Sequence, residues 1–333
     1  MRAVAAGAAA IGIRGGTMAI QLARWLMILV SALVTEGIAG AVESAPASSA
    51  TQRHFATPEA AVDALVSANR ANNRAELLAL LGAPGARLIR SGDPVADHLN
   101  RAQFVAAFDE GHRVEHEGTN KAVLIVGTEE WPLPIPLIDG PGGWRFDTQA
   151  GKQEILDRRI GRNELAVIAV CRAYVVAQRE YLALKAGAPG EYAQRFISTH
   201  DQHDGLYWPE QPGRTASPLG PLVAQAQARG YGAGEPPSER AASQPYYGYY
   251  FRILTSQGPN APGGARSYVV NGRMTGGFAL IAYPAIHGDS GIMTFIVNDH
   301  GIVFERNLGL GTSFIASQIT AYDPDSDWHI APP

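Results

Sequence analysis

The side chains with chemistry to offer fall into a few short runs of this 333-residue chain. Gly288-Asp289-Ser290-Gly291 sets a serine between glycines and beside a carboxylate. In triad chemistry a serine hydroxyl becomes a nucleophile when a histidine takes its proton and a buried acid orients that histidine. The upstream histidines stand in no such context, and a turn between strands also accounts for Gly, Asp, Ser and Gly in this order. His200, Asp201, His203 and Asp204 offer nitrogen and oxygen donors of the kind divalent metals take. His200, His203 and Asp204 are the candidate metal ligands, although no cysteine joins them and a solvated polar loop explains the same cluster. Tyr207 and Trp208 follow beside Asp204, so Asp204, Tyr207 and Trp208 form the candidate binding patch. Aromatic rings with a polar handle clasp sugars and peptides, and they also pin loops to a core. Glu154 and Asp157 beside Arg158 and Arg159 could move protons, or pair as ordinary surface ions at helical spacing.

These residues need elements to hold them. Tyr249–Leu254, Gly277–Tyr283, Met293–Val297 and Ile302–Arg306 are rich in aromatic and β-branched residues and are bounded by turn formers, which predicts an antiparallel meander. Upstream, Gln153–Leu184 is helical by periodicity, with Ile168, Cys171, Tyr174, Val175 and Leu182 on one face. Gly161 is a predicted break and Asn163 a predicted cap for its second part. Nearer the start, Thr57-Pro58-Glu59 opens one helix, Asn73 and Glu76 form a capping pair for a second that Gly82 stops, and a third follows Asn100. Phe104, Ala107 and Phe108 face inward from that third helix. Lys121–Gly127 and Gly143–Asp147 read as strands. Trp131–Pro136 has proline at alternate positions and fits only a sheet edge or an extended segment. Glu191–Tyr231 is a loop-rich crossover, and Gly232–Gln244 is a mobile loop by its polar, Pro- and Gly-containing composition.

Composition sets the class. Hydrophobic residues make up 46% and charged residues 17%, with a formal net charge of −4. No basic stripe points to nucleic acid. The single cysteine, Cys171, excludes an intramolecular disulfide. Arg24, the apolar run Trp25–Val34 and Ala39-Gly40-Ala41 form an export signal with an A-x-A cleavage pattern, preceded by an over-extended start. The run is short of the roughly 20 residues a membrane span needs, so no transmembrane anchor is expected after cleavage.

The motifs Arg158-Arg159-Ile160-Gly161-Arg162-Asn163-Glu164-Leu165, Asp204–Pro209, Ser217–Pro221 and Gly248–Leu254 resemble a bacterial envelope family catalogued as domain of unknown function 2950. The resemblance covers the chain from about His54 onward and implies export from a Gram-negative bacterium. It carries no activity, so it names no catalytic residue. Gly248–Arg252, Gly276–Pro284, Ser290–Asn298 and Gly301–Val303 after a long helix are also similar to the globular head of type II secretion pseudopilins. Glu154, Arg158, Arg159 and Arg162 stand where those proteins carry an apolar half-helix. The order of elements in the first half is similar to nuclear-transport-factor-2-like folds. Gly288–Gly291 copies the serine motif of chymotrypsin-like proteases, but Ile292 departs from it.

The fold class predicted is α+β in two domains. Residues 1–41 are the signal segment, 42–53 a leader, 54–150 a helix-plus-antiparallel-sheet domain, 151–320 a long helix on a meander, and 321–333 a tail. The function predicted is a non-enzymatic binding or assembly module, periplasmic or secreted. Its expected partner is an envelope protein or glycan rather than nucleic acid, and no cofactor is expected. The alternative is a hydrolase or metal-dependent enzyme working in the His200–Trp208 loop.

Overall fold

The computed structural model describes residues 52–184, 190–200, 202–213, 215–232 and 244–333. The export segment and most of its leader, the interior of the 232–244 loop, and Asp201 lie outside the described residues. Helix α1 (Pro58–Arg70) starts as its sequence dictates, with the Thr57 hydroxyl accepting from the Ala60 amide at 3.2 Å. Asn73 caps α2 (Arg74–Leu81) in the same way, and Gly82 ends it at φ 67°. After the single turn α3 (Ala86–Ile89), the third long helix α4 (Pro94–Glu110) begins earlier than expected. Asp93 is its cap, accepting from Val95 and Ala96, and Pro94 takes the first helical position. Asn100 is therefore inside the helix rather than at its start.

Strands β1 (His112–His116), β2 (Lys121–Val126), β3 (Trp131–Pro132), β4 (Leu137–Gly140) and β5 (Gly143–Phe146) form the first sheet, all antiparallel. The proline-bearing segment contributes only the two-residue β3 on β2. Helix α5 (Thr148–Leu184) then runs unbroken for 37 residues. Gly161 does not interrupt it, and Asn163 is not a cap. The side chain of Asn163 donates instead to the Ser290 carbonyl at 2.8 Å.

Helix α6 (Gly220–Ala228) lies in the crossover. Strand β6 (Tyr249–Leu254) opens the second sheet. Two small ladders follow, β7 (Ser256–Gln257) with β8 (Arg266–Ser267) and β9 (Val269–Val270) with β10 (Arg273–Met274). The sheet resumes with β11 (Ala279–Pro284), β12 (Met293–Asn298), β13 (Val303–Asn307) and β14 (His329–Ile330). Its order, β14-β13-β12-β11-β6, is antiparallel throughout, which is the expected meander with an insertion between its first two strands. Helix α7 (Thr312–Gln318) packs back on β11.

The fold is thus α+β. Residues 49–333 form one compact unit, within which the apolar side chains gather in two clusters. One joins Val62, Leu65, Leu80, Leu124, Leu137 and Phe146 between α1, α2 and the first sheet. The other joins Ile168, Cys171, Tyr174 and Tyr181 of α5 to Tyr249, Phe278, Ile281 and Phe295. Helix α5 serves both, since Ile155 packs on the first cluster and the stretch from Val167 to Tyr181 lies in the second. No helix among the described residues is long and apolar enough to cross a membrane.

Candidate functional site

The polar crossover loop spends its chemistry on itself. Asp204 accepts from the Thr199 amide at 2.7 Å and the Thr199 hydroxyl at 2.8 Å, with Arg195 at 3.6 Å. Burial pushes this carboxyl up, but those bonds and Arg195 outweigh it and hold the pKa below the ordinary carboxylate value. His203 stacks on Trp208 with ring centroids 4.3 Å apart. Trp208 is only 5% exposed and donates its indole N–H to the Thr215 carbonyl at 3.0 Å. Tyr207 is half-buried, and burial raises its hydroxyl pKa. His200 is exposed. Among the described residues no three His, Cys, Asp or Glu side chains stand together as a metal would need. So His200, His203 and Asp204 do not converge, because Asp204 is turned into its own turn and His203 onto the indole. His203 and Asp204 instead border a polar hollow with Tyr181, Glu191 and Arg195.

Gly288–Gly291 proves to be a structural turn. The buried Ser290 hydroxyl donates to the Ile286 carbonyl at 3.1 Å and accepts from the Ile286 amide at 3.0 Å. His287 hydrogen-bonds Asn307 at 3.0 Å, while the Ser290 hydroxyl is paired with the Ile286 backbone. Asp289 pairs with Arg87, whose guanidinium also donates to the Gly288 carbonyl at 2.8 Å. A Cβ on Gly291 would overlap the Tyr249 hydroxyl, which explains the glycine. Glu164 fastens the same turn, accepting from the Ile292 and Met293 amides at 2.8 and 2.9 Å. Asp93 adds a second tie, its other carboxylate oxygen accepting from the Tyr231 hydroxyl at 2.7 Å and the Gly248 amide at 2.9 Å. Burial drives the Cys171 thiol up to about 12, which keeps it protonated and inert.

A cavity of about 580 Å³ opens between α4, α5 and the β2–β3 turn, a size ordinary for small-molecule sites. From α5, Ile155, Arg158, Arg159 and Arg162 line it, at the i, i+3, i+4, i+7 spacing that puts four side chains on one helix face. From α4, Asp97, Asn100, Arg101 and Phe104 do so at the same spacing, and Ala107 continues the face three residues on. Leu65, Leu81, Leu133 and Ile135 supply apolar wall.

The two inner arginines are largely removed from water, at 7% exposed for Arg101 and 6% for Arg159. Arg159 donates to the Arg87 and Leu88 carbonyls at 2.9 and 2.5 Å, closing the C-terminal end of α3. Arg101 donates Nε to Asn72 at 2.7 Å and Nη1 to the Ile89 carbonyl at 3.4 Å. Its Nη2 is buried with no hydrogen-bond partner. Burial lowers both guanidinium pKa values, and Asp97 opposes the shift in each case. Asp97 itself accepts from the Ser91 amide at 3.1 and 3.2 Å. At the rim, Arg158 pairs with Glu154 at 2.6 Å and lies 5.5 Å above the Trp131 ring. The Glu154–Arg158 pair is therefore an ordinary i,i+4 surface ion pair rather than an acid–base site. Arg162 is exposed and makes no hydrogen bond or ion pair among the described residues.

The cavity was within reach of the sequence. Arg158, Arg159 and Arg162 share one side of a helix, and the inward-facing Phe104 and Ala107 sit on another. The acidic neighbours Glu154 and Asp157 at helical spacing give the same arginines an ordinary surface-pair explanation. No curated protein and no solved structure matches the chain, so the pseudopilin and nuclear-transport-factor-2-like likenesses rest on element order alone. The family comparison agrees with the motifs spread along α5, the crossover and β6: a family model matches residues 52–330, and the chain belongs to the family described as Protein of unknown function (DUF2950).

Proposed function

We propose that the protein is an exported, non-enzymatic binding module of the bacterial envelope, and that it holds a small molecule in the cavity between α4 and α5. The observation that carries this is the cavity itself, about 580 Å³, walled by two faces of rigid helix and lined by four arginines. Rigid elements make better sites than loops, because they hold the first contacts in place before the ligand arrives. Three features favour binding over catalysis. The one serine motif is tied into backbone bonds, the one cysteine is buried, and the cavity contains no histidine. The crossover loop is tied to the core through Trp208, and an envelope protein or glycan would meet it at the part-exposed Asp204 and Tyr207. Export rests on Arg24, Trp25–Val34 and Ala39-Gly40-Ala41, and sequencing the native protein should find a mature N-terminus close after Ala41.

The test is to purify the protein from its native envelope, unfold it and identify the small molecules released by mass spectrometry. An Ala107→Trp variant, which fills the cavity from α4, should retain the native circular dichroism spectrum and release none of the compound. If the wild-type protein carries nothing that the filled variant lacks, the cavity is not a binding site.

A further inference from the structure

We infer that the ligand of this cavity is an amphipathic anion, a carboxylate or phosphate head group taken by the arginines with an apolar body laid along the wall. This rests on the binding reading above and names its chemistry.

The charge balance is the first argument. Arg101, Arg158, Arg159 and Arg162 face Asp97, Glu110 and Glu129 around the cavity. Asp97 is already committed to the Ser91 amide, and Arg158 to Glu154 outside the lining. Glu110 and Glu129 are exposed, as are Arg158 and Arg162, so among the buried lining charges Arg101 and Arg159 face Asp97 alone and one positive charge is left over. Arg162 is exposed at the rim and makes no hydrogen bond or ion pair among the described residues. Guanidinium donors match carboxylate and phosphate oxygens in geometry and charge. A cation would meet the opposite field.

The wall is the second argument. Leu65, Leu81, Phe104, Leu133, Ile135 and Ile155 give the cavity a hydrocarbon side that an inorganic anion leaves uncovered. A stacked base or flat sugar is disfavoured, because the Trp131 face is already taken by Arg158. The matching ligand therefore joins a charged head to an aliphatic or alicyclic body. A lipid-derived acid and a free organic acid share that chemistry.

The experiment compares decanoate, decyl phosphate, decanol and inorganic phosphate by calorimetry against the whole mature protein. Decanoate or decyl phosphate should bind with one-to-one stoichiometry and at least tenfold tighter than decanol and than inorganic phosphate. Arg162→Gln should weaken that binding by roughly tenfold, the scale of one charge-assisted hydrogen bond. The Arg162 side chain is exposed, so this variant leaves the fold intact, and the ligand comparison itself needs no variant. Preference for decyl phosphate over decanoate assigns a phosphorylated source, and the reverse assigns a fatty or organic acid. If decanol binds as tightly as the anions, the head-group inference is overturned while the cavity remains a binding site. If inorganic phosphate binds as tightly as decanoate, the apolar half is overturned. If none of the four binds, the inference is overturned, and the co-purification experiment decides separately whether the cavity binds anything.

Discussion

Trp208 and Asp204 show how far residue type constrains a role. Tyrosine and tryptophan beside a carboxylate are what a binding patch needs, and they are equally what a loop needs to anchor itself. The deciding quantity is burial, and burial depends on partners distant in sequence. Leu219 and Leu206 pack in the same cluster as Trp208, and the Thr215 carbonyl accepts a hydrogen bond from its indole N–H. We expect Trp208→Ala to destabilise the protein by about 3–5 kcal/mol, the usual cost of truncating a buried large aromatic. Urea unfolding followed by circular dichroism measures it. A loss below about 1 kcal/mol would show that the indole is not a core residue. Ser290 gives the same lesson from the other direction. Its flanking glycines and aspartate were visible in the sequence. That its hydroxyl would close on the Ile286 backbone depends on the path of the turn, which no local pattern records.

At the scale of elements the sequence was more informative. The four meander strands lie within two residues of where alternation and turn formers put them, because each is long and bounded by strong breakers. Cap chemistry located α1 and α2. The true start of α4 is also written there, since Asp93-Pro94 is an N-cap followed by a first-turn proline, but Asn100 offers a second cap residue of the same type within the helix. The unbroken α5 was not legible at Gly161. An isolated helical glycine costs only about 1 kcal/mol, and packing along both halves of the helix exceeds that. Two glycines of α5 therefore give opposite predictions. At Gly151 a Cβ would overlap the Pro134 carbonyl, where the proline-rich segment crosses the first turn. Gly151→Ala should cost about 1–3 kcal/mol. At Gly161 a Cβ meets nothing within 4 Å, so Gly161→Ala should stabilise by about 0.5–1 kcal/mol. Thermal melts of the two variants side by side read both signs, and equal shifts would sink the argument.

For the whole molecule, the two-domain division proposed from the sequence falls at the first turn of α5, while residues 49–333 form one compact unit with two apolar clusters. Ties run between the clusters. Arg87 pairs with Asp289, Arg159 closes α3, Asp93 accepts from Tyr231 and Gly248, and Asn163 and Glu164 hold the turn after β11. We expect one cooperative unfolding transition, the same by tryptophan fluorescence and by far-ultraviolet circular dichroism, with Asp289→Asn lowering its midpoint. Two separated transitions would show that the ties do not couple the halves. The Arg87–Asp289 pair has a further consequence, for the order of events in time. Its partners lie 202 positions apart, and contacts of such long sequence separation form late because the chain between them must first be brought to closure. A chain growing from its amino end makes the helices that wall the cavity long before it makes the turn that locks them. Until Asp289 has been synthesised, Arg87 has no counter-ion there. A chain cut short before Asp289 should therefore leave Arg87 and the turn of α3 without this tie and more open to proteases.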